Sequence, residues 1–233
     1  MHQRTSKKII IYFLLFFLIG TINNIELNNK NFLKIKKINI FGFNDIEVLN
    51  VENDLNNLNL NNIISLNKNE ISKVIDSYNI VENYNIFKNY PSTLNIEINK
   101  TNFLAKINYD GKTFIVGSNG RLINEKYNNK HLPYIFGSPK TKEFLKLKKK
   151  IDDSKFSYEQ INNFYFYPSK RWDLELKNNV ILKLSKDHTK LSLDQAFELI
   201  NDKNFSDIKV VDARIKNQII LNDWQIKFSS VLK

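Results

Sequence analysis

The sequence predicts an α+β protein with an N-terminal single transmembrane helix, a β-α-α-β-β domain, and a mostly antiparallel β domain with two or three helices. Three observations predict this architecture. An uncharged apolar run lies at residues 9–22, behind a short basic segment. Two helical patterns then lie between strand-like segments within residues 34–98. From residue 103 onward, short alternating segments are separated by turn sequences, which is typical of an antiparallel sheet.

The apolar run, IIIYFLLFFLIGTI, carries no charge, and Arg4, Lys7 and Lys8 precede it. Its 14 residues are fewer than the ~20 that cross a bilayer upright, so its length alone favours a cleaved signal peptide. A retained anchor would need residues 23–27 as well, but no A-x-A-like cleavage site follows the run. A buried helix of a soluble domain is disfavoured because the run has no polar face. Since Lys7 and Lys8 adjoin the run, we expect the bulk of the chain outside the inner membrane.

The charge and composition restrict the function classes. The formal net charge of +11 could suit nucleic acid or an anionic membrane surface. Asn, Ile and Lys dominate the whole chain, however, with 36 Asn in all, so the basic excess is not confined to one patch. The five lysines of residues 141–151 therefore indicate a solvated helix face. Cysteine is absent, which excludes disulfides, thiol nucleophiles and thiolate zinc sites.

The first predicted domain has the order β-α-α-β-β. Asn44 or Asp45 can cap its first helix, and Asn67 or Asn69 can cap its second. Pro91 presets the backbone of the turn between its last two strands. A three-stranded sheet with both helices on one face is the simplest way to bury these apolar stripes. The predicted elements are a strand at 34–43, helices at 46–58 and 65–78, and strands at 80–90 and 94–98.

The second predicted domain is mostly β. Asp110-Gly111 is a strong hairpin signal, and Asn178-Asn179 marks another tight turn. The predicted strands lie at 103–109, 112–117, 121–123, 132–136, 161–167, 172–176, 180–184 and 208–221, and the helices at 141–151 and 191–200.

Residues 208–221 are predicted as one long strand, with mostly apolar odd positions and polar even positions toward its middle. Residues 222–233 contain no clear strand pattern, so nothing in the sequence covers this strand. An exposed sheet edge is a template to which a partner can add a strand. The alternative interpretation is an ordinary central strand.

The sequence offers little for catalysis. Its three histidines, His2, His131 and His188, lie in the amino-terminal tail or in loop-like contexts. No H-E-x-x-H, Walker A, G-x-S-x-G or G-x-G-x-x-G motif is present. We therefore expect no enzymatic activity, no cofactor, no metal and no small-molecule substrate, and we expect binding through secondary structure instead.

Five segments follow one another in the order of a known set of motifs: INIFGF at 38–43, YPSTLNIEI at 90–98, the hairpin at 114–123, RWDLEL at 171–176 and VDAR at 211–214. In this order they resemble motifs of the FtsQ/DivIB family of bacterial cell division proteins. The chain departs from that family's pattern in three places: residues 99–105 keep only the Ala of its E-R-x-P-x-A, Leu184-Ser185 replaces a Leu-Pro, and the tail before the apolar run is short.

The resemblance implies a non-enzymatic scaffold of the divisome. Such a protein sits in the cell inner membrane at the division septum, has its bulk in the periplasm, binds FtsB and FtsL, and links early to late division proteins. No nucleic-acid partner is expected. The implied organisation is a cytoplasmic tail at 1–8, a retained anchor at 9–27, a POTRA domain at 32–101, the FtsQ-type β domain at 102–222 and a C-terminal tail at 223–233.

The resemblance also places FtsB on the last strands of the β domain, partly by strand addition. We expect main-chain pairing along residues 214–221, with Arg214 and Lys216 meeting acidic partner residues. The expected partner-binding residues are Asp212, Arg214, Ile215, Lys216, Asn217, Gln218, Ile219, Ile220 and Leu221.

Two other functions stay open at this stage. One is a POTRA-type factor for envelope protein assembly. The other is a basic nucleic-acid-binding protein that faces the cytoplasm, which requires the reverse membrane orientation.

Overall fold

The fold is that of a computed structural model, which describes residues 7–21, 33–58, 60, 62–127, 131–202, 208–222 and 224–227. The chain divides into two compact units, and the division runs through one helix and two strands. One unit comprises Met1–Val74 with Asn85–Glu97, and the other comprises Ile75–Tyr84 with Ile98–Lys233.

The apolar run forms helix α1 (Lys7–Thr21). Its large apolar side chains from Ile9 to Ile19 are between 50% and 75% exposed. Among the described residues, no helix combines the length and the apolarity needed to cross a membrane. The anchor expected at 9–27 includes residues 22–27, which lie outside the described residues.

The β-α-α-β-β order predicted for the first domain is confirmed. Its strand β3 lies between β1 and β2, and β1 runs parallel to β3. Asn44 caps the first of its helices, since its side chain accepts a hydrogen bond from Glu47 N at 2.9 Å and the Glu47 carboxylate accepts one from Asn44 N at 3.0 Å. The elements are β1 (Lys37–Phe41), α2 (Asp45–Asn56), α3 (Lys68–Asp76), β2 (Val81–Asn89) and β3 (Thr93–Lys100).

The predicted hairpin of the second domain is also confirmed, as β4 (Phe103–Tyr109) and β5 (Lys112–Gly117). Its turn residues Asp110 and Gly111 have φ of +50° and +76°, the left-handed conformation that a two-residue hairpin turn favours. The further strands are β6 (Leu122–Asn124), β7 (Tyr134–Phe136), β8 (Ile161–Phe166), β9 (Trp172–Leu176), β10 (Ile181–Leu184), β11 (Val210–Ala213), β12 (Gln218–Leu221) and β13 (Trp224–Lys227).

These strands form one ten-stranded sheet in the order β13-β12-β11-β10-β9-β8-β7-β4-β5-β6. The pairs β4–β7, β7–β8 and β10–β11 are parallel, and the other strand pairs are antiparallel. Strands β6 and β13 therefore lie at its two edges. Helices α4 (Thr141–Asp152) and α5 (Thr189–Ile200) are the two α-helices described in this domain.

An aromatic cluster anchors the core between α4 and the sheet. Phe144 of α4 and Phe164 of β8 are both fully buried, with ring centroids 5.3 Å apart in an edge-on arrangement. Trp172 of β9 packs against Phe166 at 4.7 Å and against Phe164 at 6.3 Å. The apolar side chains of β10, β11 and β12 that face this side, such as Leu182, extend the same core.

The turn at residues 117–121 holds the segment that follows α3, within the second compact unit. The Asn119 amide donates to the carbonyls of Asn79 and Val81, both at 2.9 Å. The Arg121 guanidinium donates to Asp76 O at 2.9 Å, at the carboxyl end of α3. These contacts explain why residues 75–84 cluster with the second unit.

The predicted long strand at 208–221 is wrong, because the structure divides it into β11 and β12. Residues 214–217 form a turn in which Gln218 N donates to Ile215 O at 3.2 Å. Asn217 has φ of +59°, which Asn tolerates better than most residues and which breaks the extended backbone. The interruption of the alternation at Asn217 was the sequence signal for this turn. Residues 224–227, which the sequence left unassigned, form strand β13.

Candidate partner-binding surface

The expected partner-binding residues lie on the β11–β12 hairpin, which we define as residues 210–221. Asp212 lies in β11, the turn contains Arg214, Ile215, Lys216 and Asn217, and β12 contains Gln218, Ile219, Ile220 and Leu221. The structure therefore brings all of them together near one edge of the ten-stranded sheet.

The two faces of this hairpin have different roles. Ile219 is fully buried and Leu221 is 5% exposed, and both belong to the hydrophobic core. Gln218 and Ile220 alternate with them and are half-buried on the opposite face, which is also the face of Asp212. Of the expected residues in β12, Gln218 and Ile220 can therefore offer their side chains to a partner, whereas Ile219 and Leu221 stabilise the fold.

The turn of the hairpin presents charge and apolar surface together. Arg214, Lys216 and Asn217 are exposed, and the Ile215 side chain is 54% exposed. An isoleucine exposed to this degree beside two basic side chains is suited to a partner that buries the isoleucine and pairs with the charges.

Asp212 and Arg214 form a local ion pair. Arg214 Nε donates to the two carboxylate oxygens of Asp212 at 2.8 and 3.0 Å, and Arg214 N donates to Oδ1 at 3.2 Å. Partial burial alone would raise the pKa of the Asp212 carboxyl. The hydrogen bonds from Arg214 and the charges of Arg214 and Lys183 outweigh this effect, so the pKa of Asp212 lies below its ordinary value. The hydrogen bond to Asp212 raises the pKa of Arg214.

A row of alternating charges crosses the sheet face beside this pair. Asp173 of β9 lies opposite Lys183 of β10, and Lys183 lies opposite Asp212 of β11. Asp173 is only 2% exposed, and Arg171 Nε donates to it at 3.1 Å. Sequence reasoning missed Asp173 and Lys183 as neighbours of the site. Which residues lie opposite each other on β9, β10 and β11 depends on the register between the strands, and no local sequence pattern predicts that register.

A polar cluster on the same face adjoins this row. The Glu175 carboxylate accepts hydrogen bonds from Asn163 Nδ2 at 2.8 Å and from Tyr165 Oη at 2.7 Å. These two hydrogen bonds lower the pKa of Glu175, and the bond to Glu175 raises the pKa of Tyr165 to about 12. This face of the sheet therefore carries charged and hydrogen-bonded side chains next to β10 and β11.

Strand β13 covers the outer edge of β12. The paired residues are Gln218 with Lys227, Ile219 with Ile226, Ile220 with Gln225, and Leu221 with Trp224. Because β11 pairs with the other side of β12, the β12 main chain has ladder partners on both sides. A partner that pairs with β12 therefore has to take the place of β13.

Two of the three histidines lie within the described residues. His131 and His188 are exposed. Within the part of the chain that the structure describes, no group of three or more His, Cys, Asp or Glu residues could hold a metal ion.

Two family models and one solved structure match parts of the chain. The family model of the FtsQ-type POTRA domain matches residues 33–100, and the C-terminal family model of cell division protein FtsQ/DivIB matches residues 105–214. The chain is also similar to the major extracytoplasmic domain of the trans isomer of the bacterial cell division protein DivIB from Geobacillus stearothermophilus. That alignment has 10% identity and a TM-score of 0.32, and it covers 44% of this chain and 89% of the other. No curated protein matches the chain.

The two family models match consecutive segments and together cover well over half of the chain, in the order that the sequence motifs predicted. The resemblance drawn from those motifs is confirmed. The chain belongs to the FtsQ/DivIB family of bacterial cell division proteins.

Proposed function

We propose that this cell division protein is a non-enzymatic scaffold of the divisome, which binds FtsB at the outer edge of β12 and holds FtsL in the same complex. By joining these partners it links early to late division proteins at the septum. The observation that carries the proposal is the β11–β12 hairpin with its exposed turn, which lies next to the edge strand β13 in a chain of this family.

Strand exchange is the step that gives FtsB access to β12. Strand β13 has four paired residues, which corresponds to about four ladder hydrogen bonds worth ~1 kcal/mol each. Ordering the backbone of four residues costs about 1–2 kcal/mol per residue. The backbone terms therefore give β13 no net advantage, and a partner strand that adds side-chain contacts with the hairpin can replace it.

Side chains of the hairpin supply the selectivity. Arg214 uses Nε and Nη2 on Asp212, which leaves guanidinium protons for a carboxylate of the partner. Lys216 adds a second positive charge, and burial of the exposed Ile215 adds hydrophobic free energy. A partner strand flanked by acidic residues and carrying one bulky apolar residue fits this surface.

We also propose that residues 9–27 anchor the chain in the inner membrane, with residues 1–8 in the cytoplasm and the two domains at 32–101 and 102–222 in the periplasm. The uncharged run at residues 9–22 and the exposed apolar side chains of α1 from Ile9 to Ile19 support an anchor. A reporter fused to the carboxyl terminus, active only outside the cytoplasm, tests this orientation. Activity of a cytoplasm-only reporter at that position would contradict it.

Co-purification of the full chain with FtsB and FtsL tests the central proposal. Replacing Ile215 by Asp removes apolar burial worth about 1.5 kcal/mol or more, so binding is expected to weaken at least tenfold. Tyr109→Asp is the matched control, because Tyr109 is 56% exposed at the end of the β4–β5 hairpin. Unchanged recovery of FtsB with Ile215→Asp, or an equal loss with both variants, would argue against this surface. Depletion of the protein should leave undivided filaments rather than envelope assembly defects.

A further inference from the structure

A cationic cavity lies on the helix-covered side of the ten-stranded sheet. It has a volume of about 260 Å³ and lies between α4, the start of α5, the turn before β9 and the end of β10. Four lysines line it: Lys146, Lys150, Lys170 and Lys186. We call it the lysine cavity. The proposed function makes no use of it.

The positive charge of the lysine cavity is poorly compensated. Of the described residues that line it, only Glu143 is acidic, and its carboxylate accepts a hydrogen bond from Lys140 N at 3.0 Å at the start of α4. Lys150 Nζ donates to Thr189 Oγ1 at 2.9 Å, which leaves two of its three protons for other acceptors. None of the four lysines forms an ion pair with another residue in the described part of the chain. By contrast, Lys148 of the same helix pairs with Asp152.

The wall of the lysine cavity is apolar. Trp172 is 8% exposed and lines the cavity together with Phe166, whose ring lies 4.7 Å from it. Leu147 and Leu184 line it as well. A concave site with apolar walls and a few convergent polar groups is the usual form of a ligand pocket.

Lys170, which lines this cavity, has a costly backbone conformation. Its φ is +63°, and its N–H donates to Tyr167 O at 2.8 Å in the turn that leads to β9. A left-handed conformation costs a residue with a Cβ about 1–2 kcal/mol compared with the right-handed one. The turn between β8 and β9 therefore fixes the backbone of Lys170 among the residues that line the cavity.

We propose that the lysine cavity binds an acidic peptide segment of a partner protein, with one bulky apolar side chain packed against Trp172 and flanking carboxylates paired with Lys146 and Lys186. The apolar wall favours a peptide over a phosphate group, because a bare phosphate makes no use of Trp172 and Phe166. This inference goes beyond the proposed function and does not depend on strand exchange at β12.

The probe for this site is a fluorescein-labelled pentapeptide, Glu-Glu-Phe-Glu-Glu, titrated into the full chain and followed by anisotropy. Two further peptides, Glu-Glu-Ala-Glu-Glu and Lys-Lys-Phe-Lys-Lys, test the apolar and the acidic requirements separately. Only the first is expected to bind, and its affinity should fall as salt is added, because exposed charges are screened. Phosphatidylcholine vesicles with and without phosphatidylglycerol test a lipid surface as the alternative ligand.

Two double variants locate the binding. Lys146→Gln with Lys186→Gln is expected to weaken peptide binding about tenfold, since two charge pairs are lost in a partly hydrated site. Lys142→Gln with Lys149→Gln is the matched control, because it removes the same charge from exposed positions of α4 outside the cavity lining. In a Trp224→Phe background, Trp172 is the sole tryptophan, so the peptide should also change its emission.

Both double variants should unfold at the same temperature as the parent chain, so that a loss of binding is not caused by a loss of folding. A selective loss with the Lys146/Lys186 variant, together with a change in Trp172 emission, supports the site. Equal losses with both double variants, equal binding of the alanine peptide, or binding only to the anionic vesicles would overturn it. The absence of any peptide binding would overturn it as well.

Discussion

Removal of the last strand tests the strand-exchange step directly. A chain that ends at Asn222 lacks β13 and leaves the outer edge of β12 open. A free energy of docking near zero means that β13 is docked on β12 about half to four-fifths of the time. Only the undocked state can bind FtsB, so the binding-competent fraction of the full chain is about 0.2–0.5. Truncation should then strengthen FtsB binding about two- to fivefold, and the free energy of unfolding should change by no more than about 1 kcal/mol.

The assay is isothermal titration of the purified full-length and truncated chains with the extracytoplasmic part of FtsB. A chain that ends at Lys227 is the matched control, because it keeps β13 and loses only the residues after it. Its affinity should equal that of the full chain. Loss of FtsB binding on truncation after Asn222, with unfolding unchanged, would refute the exchange and would show that FtsB pairs with β13 itself.

Three further predictions concern stability and pH. Asp212→Asn should lower the free energy of unfolding at neutral pH by about 1 kcal/mol, a figure already reduced because Arg214 is exposed to solvent. In a double-mutant cycle with Arg214→Gln, measured by urea unfolding, the two losses of stability should not add. Additive losses would contradict the ion pair. Phe164→Ala should cost about 3–5 kcal/mol in the same assay, because it empties a fully buried site between Phe144 and Trp172; a cost below 1 kcal/mol would contradict that packing. Hydrogen bonds from Asn163 and Tyr165 hold the pKa of Glu175 below its ordinary value in the folded chain. The stabilisation by Glu175 is therefore present above that ordinary pKa and is lost as the pH falls through the folded pKa. The stability of Glu175→Gln should therefore fall less with acid than that of the parent chain, and parallel acid profiles would contradict this.

Local sequence signals predicted most elements of both domains. Asp110-Gly111 predicted the β4–β5 hairpin because few other dipeptides accept positive φ at both turn positions. The cap at Asn44 was predictable for a similar reason, since a short polar side chain before an apolar stripe satisfies the free N–H groups of a helix start.

The course of the chain after Lys209 was harder to predict. A strand with alternating residues and a hairpin of two short strands have nearly the same pattern when the turn contains few Gly or Pro residues. Asn217 was the only local sign of the turn, and one Asn among 36 carries little weight. Strand β13 escaped prediction because its four residues are stabilised by pairing with β12, a non-local interaction.

The candidate surface was predictable as a segment but not as a set of contacts. The motif at 211–214 located Asp212 and Arg214, whose ion pair is local. The alternation along residues 208–221 already placed Ile219 and Leu221 on the apolar face, and the structure buries both. The pairing of β13 with the outer edge of β12 required the structure. The lysine cavity had no sequence signal, because its four lysines come from three segments that are far apart in the sequence.

Site-specific cross-linking at Ile220 tests the central claim most directly. A photo-reactive residue is introduced there, on the accessible face of β12, and for comparison at Asn124 of β6, on the opposite edge of the sheet. In cells that assemble the division complex, we predict a covalent adduct with FtsB from position 220 and none from position 124. An adduct with FtsB from position 124 alone, or an intact complex that gives no adduct from position 220, would contradict binding at the edge of β12.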